Sequence, residues 1–111
     1  MRLGEVAANA RRLDQAIVHY ERAVEARPSR AARLTLAKAL LALDRLDEAI
    51  AHFQVLMEPG KKSAQVYYYF GRARDKNGET ETAQGLYRQA LEMAKGSGDQ
   101  SFIRTIENQL R

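Results

Sequence analysis

Arg12-Leu13-Asp14-Gln15-Ala16-Ile17-Val18-His19-Tyr20 returns as Arg45-Leu46-Asp47-Glu48-Ala49-Ile50-Ala51-His52-Phe53, displaced by 33 residues and identical at six of nine positions. A looser third copy, Thr80-Glu81-Thr82-Ala83-Gln84-Gly85-Leu86-Tyr87, stands 34 residues further on. In all three an aromatic follows an alanine by four residues: Ala16 and Tyr20, Ala49 and Phe53, Ala83 and Tyr87. Chance likeness between helical segments does not hold one register twice, so the chain is a repeat array.

Working outward from these copies, each repeat reads as two helices. Leu34, Leu36, Ala37, Leu40, Leu41 and Leu43 recur at spacings of three and four, as an amphipathic helix requires. Asp44-Arg45 makes a short polar break, after which Asp47 is placed to cap the second helix and Ala49, Ile50, Phe53, Leu56 and Met57 continue its buried stripe. Pro59-Gly60 stops that helix, because proline cannot continue the backbone ladder and glycine accepts a left-handed turn. In the third copy Ser63 is the expected cap, Val66, Tyr67 and Phe70 the core stripe, and Asn77-Gly78 the end of the first helix. Leu86, Tyr87, Ala90, Leu91 and Met93 line the second helix, with Lys95-Gly96-Ser97-Gly98 as the next break; Pro28-Ser29 does the same job in the first copy. No strand pattern appears, so the class is all-α.

The small residues carry the packing. Gly4, Ala37 and Gly71 fall at equivalent places on the first helices, and Ala16, Ala49 and Ala83 on the second. Little or no side chain lets two helix axes approach, and the aromatic one turn later fills the gap beside it. Tyr20, Phe53 and Tyr87 are therefore expected as core wedges and not as ligand-stacking groups.

This arrangement resembles the tetratricopeptide repeat family, whose pattern of about 34 residues places an aromatic, a Leu-Gly-type pair, Ala-x-x-x-Phe and then Pro. Tyr67-x-x-Phe70-Gly71 and Ala83-x-x-x-Tyr87 match it in the third repeat. Leu36-Ala37 with Ala49-x-x-x-Phe53 matches in the second, though Arg33 replaces the opening aromatic. Leu3-Gly4, Ala16-x-x-x-Tyr20 and Pro28 match in the first. The resemblance implies a right-handed superhelical stack of three TPR helix-turn-helix repeats (residues 1–29, 30–62 and 63–97) closed by a C-terminal capping helix over 99–111, seven helices in all. Asp99 is the expected cap of that last helix, and Phe102, Ile103, Ile106 and Leu110 its apolar face. The family's register starts repeat one several residues before Met1, which reads as an N-terminally truncated first repeat or a piece of a longer array.

Composition bounds the function. The 111 residues are 45% hydrophobic and 29% charged with no cysteine, so disulfides, thiol nucleophiles and cysteine metal sites are excluded. The net charge is +4, and residues 1–55 and 56–111 each carry nine basic and seven acidic side chains, so no basic arm marks a nucleic-acid binder. No apolar run is long enough for a membrane span, and no signal peptide opens the chain, which makes a cytoplasmic location the expectation. His19 and His52 are copies of one another one repeat apart, expected as surface residues with no ligand constellation around them. No phosphate loop or activated nucleophile is present, and the chain reads as a non-enzyme with no cofactor and no metal.

What remains is surface. In the resembled family the first helices line a concave groove that binds peptides or partner helices. By register that groove takes Glu5, Ala8 and Asn9 from repeat one, Leu34, Lys38 and Leu41 from repeat two, and Gln65, Tyr68, Arg72, Asp75 and Lys76 from repeat three. With Tyr67 and Phe70 directed to the core, Tyr68 is the tyrosine expected to face a ligand. Apolar groups beside cations suit a peptide with apolar anchors and some acidic groups. The family's clamp for a C-terminal carboxylate is rejected, because Glu5, Gln65 and Tyr69 stand where its amide and basic groups belong. The expected partner is thus another protein or peptide. Self-association through Leu3, Val6 and Ala7 is the first alternative, and single-stranded RNA held by Tyr68 and the cations a distant one.

Overall fold

The computed structural model describes residues 3–57 and 63–110, with side chains from Arg11 onward. Every regular element among them is helical: α1 (Leu3–Ala26), α2 (Arg30–Ala42), α3 (Leu46–Leu56), α4 (Ala64–Lys76), α5 (Thr80–Ser97) and α6 (Gln100–Glu107). That is six helices where the repeat register predicts seven, because α1 runs unbroken for 24 residues.

The reason lies in one position of the repeat. The turn between helices is made at Asp44, with φ 58°, in the second repeat and at Gly78, with φ 84°, in the third. Both stand five residues before the repeat alanine, and the first repeat has Arg11 there. Left-handed backbone suits glycine and is tolerated by aspartate, but it costs roughly 1–2 kcal/mol for a residue such as arginine. The chain at Arg11 therefore stays helical.

Helix ends follow side-chain chemistry at three places. The Ser29 hydroxyl accepts from the Ala32 N–H at 3.1 Å, and Asp99 Oδ1 accepts from the Phe102 N–H at 3.1 Å. Gly98, at φ 77°, closes α5 in the left-handed conformation. Two expected caps differ. Ser63 precedes α4 without a side-chain cap bond, and Asp47 falls inside the first turn of α3, which starts two residues earlier than a cap at Asp47 implies. There its carboxylate still favours the helix dipole. The expected break at 95–98 is narrower than its composition implied, since α5 continues to Ser97. Pro59 and Gly60 lie outside the described residues.

The chain divides into two compact units, residues 1–52 and 53–111. In the first, α1 packs on α2, and Ile17, Val24, Leu36, Ala37 and Leu40 of these helices are buried, as are Ala49 and Ile50 of α3. In the second, α4 packs on α5 and α5 on α6. Tyr68, Ala83, Tyr87, Ala90, Ala94, Ile103 and Ile106 form one core, with Phe102 and Leu110 packed against it. Gly71 lets α4 and α5 approach: a Cβ there would stand 2.8 Å from Tyr87 Cε1. Phe53 stacks on Phe70 at 5.9 Å between centroids, and the Arg74 guanidinium lies 5.0 Å from the centre of the Phe70 ring. Arg74 also donates to both Glu79 carboxylate oxygens, at 3.1 and 2.9 Å, locking the turn that leads into α5.

Candidate functional site

The stripe Gln65, Tyr68, Arg72, Asp75 runs along α4 at spacings of three and four, so these residues share one helix face. The structure separates it into a closed half and an open half. Tyr68 is only 5% exposed, which corrects the expectation that it faces a ligand. Its ring meets Phe102 of α6 edge-on at 5.6 Å, Tyr69 edge-on at 5.0 Å and Tyr87 at 6.0 Å. The apolar face of the last helix needed a partner, and the α4 tyrosine supplies part of it. Phe102 was the signal in the sequence: an aromatic on the amphipathic terminal helix has to cover some large apolar group of the repeat before it.

The open half lies at the end of α4. Arg72, Asp75 and Lys76 line a cleft of about 310 Å³ together with Tyr87 and Gln109. Arg72 and Asp75 are half-buried and Lys76 is exposed. Gln109 reaches this cleft because the turn after α6 is fastened down: its carbonyl accepts from Gln84 Nε2 at 2.9 Å, and its N–H donates to the Ile106 carbonyl at 2.9 Å. Sequence reasoning missed Gln109 and Tyr87, which reach the cleft only through tertiary packing. The cleft offers two cations against one carboxylate, with Tyr87 and Gln109 completing its lining. It is suited to hold an acidic or polar side chain in two or more hydrogen bonds.

On α2 the three expected positions behave differently. Lys38 is exposed and Leu34 half-buried, whereas Leu41 is 3% exposed and belongs to the core, a second correction. The run Ala39-Leu40-Leu41 is buried throughout, so the apolar side of α2 is wider than a narrow stripe and takes in Leu41. Glu5, Ala8 and Asn9, like Leu3, Val6 and Ala7, belong to the stretch of α1 whose side chains lie outside the described residues.

The histidines also part company. His19 is exposed, but His52 is half-buried, and its Nδ1 lies 3.0 Å from Arg33 Nη1. A guanidinium can only donate, so Nδ1 accepts and the imidazole is neutral with its proton on Nε2. Burial, then the Arg33 charge, hold His52 below the usual 6.5, opposed by Glu21 and Glu48. Arg33, which replaces the aromatic opening the repeat, thus takes up a histidine. At the turn before α5, Glu79 is held below its ordinary value first by the Asn77 hydrogen bond and then by Arg74.

Among the described residues no group of three or more His, Asp and Glu could hold a metal ion, and no helix is long and apolar enough to cross a membrane. No curated protein matches the chain. Two family models, both described as Tetratricopeptide repeat, match residues 1–64 and 71–101. With the paired helices, the small residues at their crossings and the aromatic beside each repeat alanine, these matches fix the assignment: the chain belongs to the tetratricopeptide repeat family, whose repeats generally mediate protein–protein interaction.

Proposed function

We propose that this chain is a non-catalytic interaction module that binds a peptide or partner helix, and that the cleft at the end of α4 engages an acidic group of that partner. The observation behind this reading is the gathering of Arg72, Asp75 and Lys76, three positions picked out by register, around one open cleft with Tyr87 and Gln109. Arginine can meet a carboxylate through two parallel hydrogen bonds, and Lys76, one helical turn on, adds a second positive charge. With Tyr68 and Leu41 committed to the core, the recognition is more polar than a peptide with large apolar anchors demands. Leu34 and Lys38 remain as candidate contacts on α2, and Gln65 on α4.

The test is a heteronuclear NMR titration with the capped peptide acetyl-Glu-Leu-Glu-amide. Resonances of Arg72, Asp75, Lys76 and Gln109 should move together, and Arg72→Ala should weaken the response by roughly tenfold while the melting temperature stays put. An unmoved cleft, or a response indifferent to Arg72→Ala, refutes the assignment. The alternative reading is self-association of the chain. Sedimentation equilibrium across concentration separates the two, because a chain that stays monomeric leaves only the heterologous partner.

A further inference from the structure

A second cleft, of about 370 Å³, opens where the end of α1 meets α2 and α3, wholly within residues 1–52. Val24, Leu36 and Pro28 give it an apolar lining, the first two of them buried side chains. Glu21 and Glu25, four residues apart and hence on one face of α1, bring two carboxylates to its edge. Neither takes part in an ion pair or side-chain hydrogen bond among the described residues. Arg33, the cation of the lining, is turned to His52, 3.0 Å from its Nδ1. Because that bond requires a neutral imidazole, the lining carries a net negative charge: Glu21 and Glu25 against Arg33.

We propose that this cleft is a separate recognition site, which takes a basic side chain from a partner protein. The aliphatic stem of an arginine or lysine would lie along the exposed Pro28 and the accessible edge of Val24, with its charged head at Glu21 and Glu25. Such side chains bury their methylenes on apolar surface while the head stays near water, which is what an open cleft with acidic edges offers. Charge complementarity selects the occupant: an acidic side chain would meet the two glutamates, and an uncharged one would leave them unanswered. The site is distinct from the cleft at the end of α4, which presents the opposite charge. It also differs from the Lys38 position on α2, which lies two residues from Leu36 and so on another side of that helix.

The probe is N-acetyl-argininamide, followed by amide chemical shifts of the full chain. Saturable shifts on Glu21, Glu25, Arg33 and His52 are expected, with an affinity on the order of 1 mM, as suits so small a ligand. N-acetyl-norleucinamide, which keeps the stem without the charge, should bind several-fold more weakly. E21Q and E25Q should each cost roughly twofold to fivefold, the range for exposed ion pairs. Both glutamates are exposed, so the melting temperature should not move, and a loss of binding then reads charge and not unfolding. Equal binding of the norleucine probe, shifts scattered away from the cleft, or binding unchanged in E21Q and E25Q would each overturn the proposal. So would concentration-dependent shifts of these resonances without probe, which would put a second copy of the chain in the cleft. None of these outcomes bears on the α4 cleft, whose probe carries the opposite charge.

Discussion

One substitution made at two places should give opposite signs. Gly71 and Gly85 both lie inside helices, and replacing either by alanine gains roughly 1 kcal/mol of helix propensity. At Gly85 nothing lies within 4 Å of an added Cβ, so that gain stands alone. At Gly71 the new methyl would sit 2.8 and 2.9 Å from Tyr87 Cε1 and Cδ1 and 3.4 Å from the Ala83 carbonyl oxygen. Tyr87 is 0% exposed, so its ring cannot swing away into solvent. The α4–α5 contact must open instead. Overpacking of this kind costs typically about 1–3 kcal/mol, which exceeds the propensity gain over most of its range. Gly85→Ala should therefore raise the melting temperature by a few degrees, at roughly 4–6 °C per kcal/mol for a chain of this size, and Gly71→Ala should lower it by up to about twice that. Circular dichroism melts at matched concentration read both. A Tyr87→Leu background supplies the coupling test: with a smaller, more adaptable side chain the cost of Gly71→Ala should shrink or change sign. If Gly71→Ala is as stable as Gly85→Ala with Tyr87 in place, the close approach of α4 and α5 is wrong.

Two further outcomes follow from burial. Tyr68→Ala should cost on the order of 3–5 kcal/mol in a urea melt, as a core aromatic does, while Arg72→Ala should stay within about 0.5 kcal/mol; near-equal effects would return Tyr68 to the surface. For His52 the folded value lies below 6.5, so its contribution is complete above that pH. It is lost as pH falls through the folded value, because the unfolded chain takes the proton first. Between about pH 7.5 and about pH 5.5 the natural chain should lose more stability than His52→Gln, whose amide oxygen can still accept from Arg33; parallel losses would refute the pairing.

The helices were legible because their cause is local. Spacing of apolar groups, the Asn77-Gly78 turn and the Asp99 cap act within a few residues, and each produces what it predicts. The single miss in helix count was also local. Asp44, Gly78 and Arg11 share one repeat position, and only the first two residue types enter left-handed backbone readily. A repeat alignment carried to that column distinguishes them, and the merging of two helices into α1 follows from one side chain.

The site was legible only in part, because exposure is not a local property. Register put Tyr68 and Arg72 one turn apart on the same face of α4, and that placement holds. What register cannot say is where the terminal helix comes to rest. Phe102 lies against Tyr68 and makes the first half of the stripe core, while the fastening of Gln109 to Gln84 makes the second half the wall of a cleft. The same helix thus removes an aromatic from the surface and builds the edge of the charged pocket beside it. A residue's repeat position therefore fixes its direction from the helix axis, and the next element along the chain decides whether water or protein lies in that direction. Here α6 and the turn after it supply that element for α4, so their seating is tied at once to the core around Tyr68 and to the shape of the cleft.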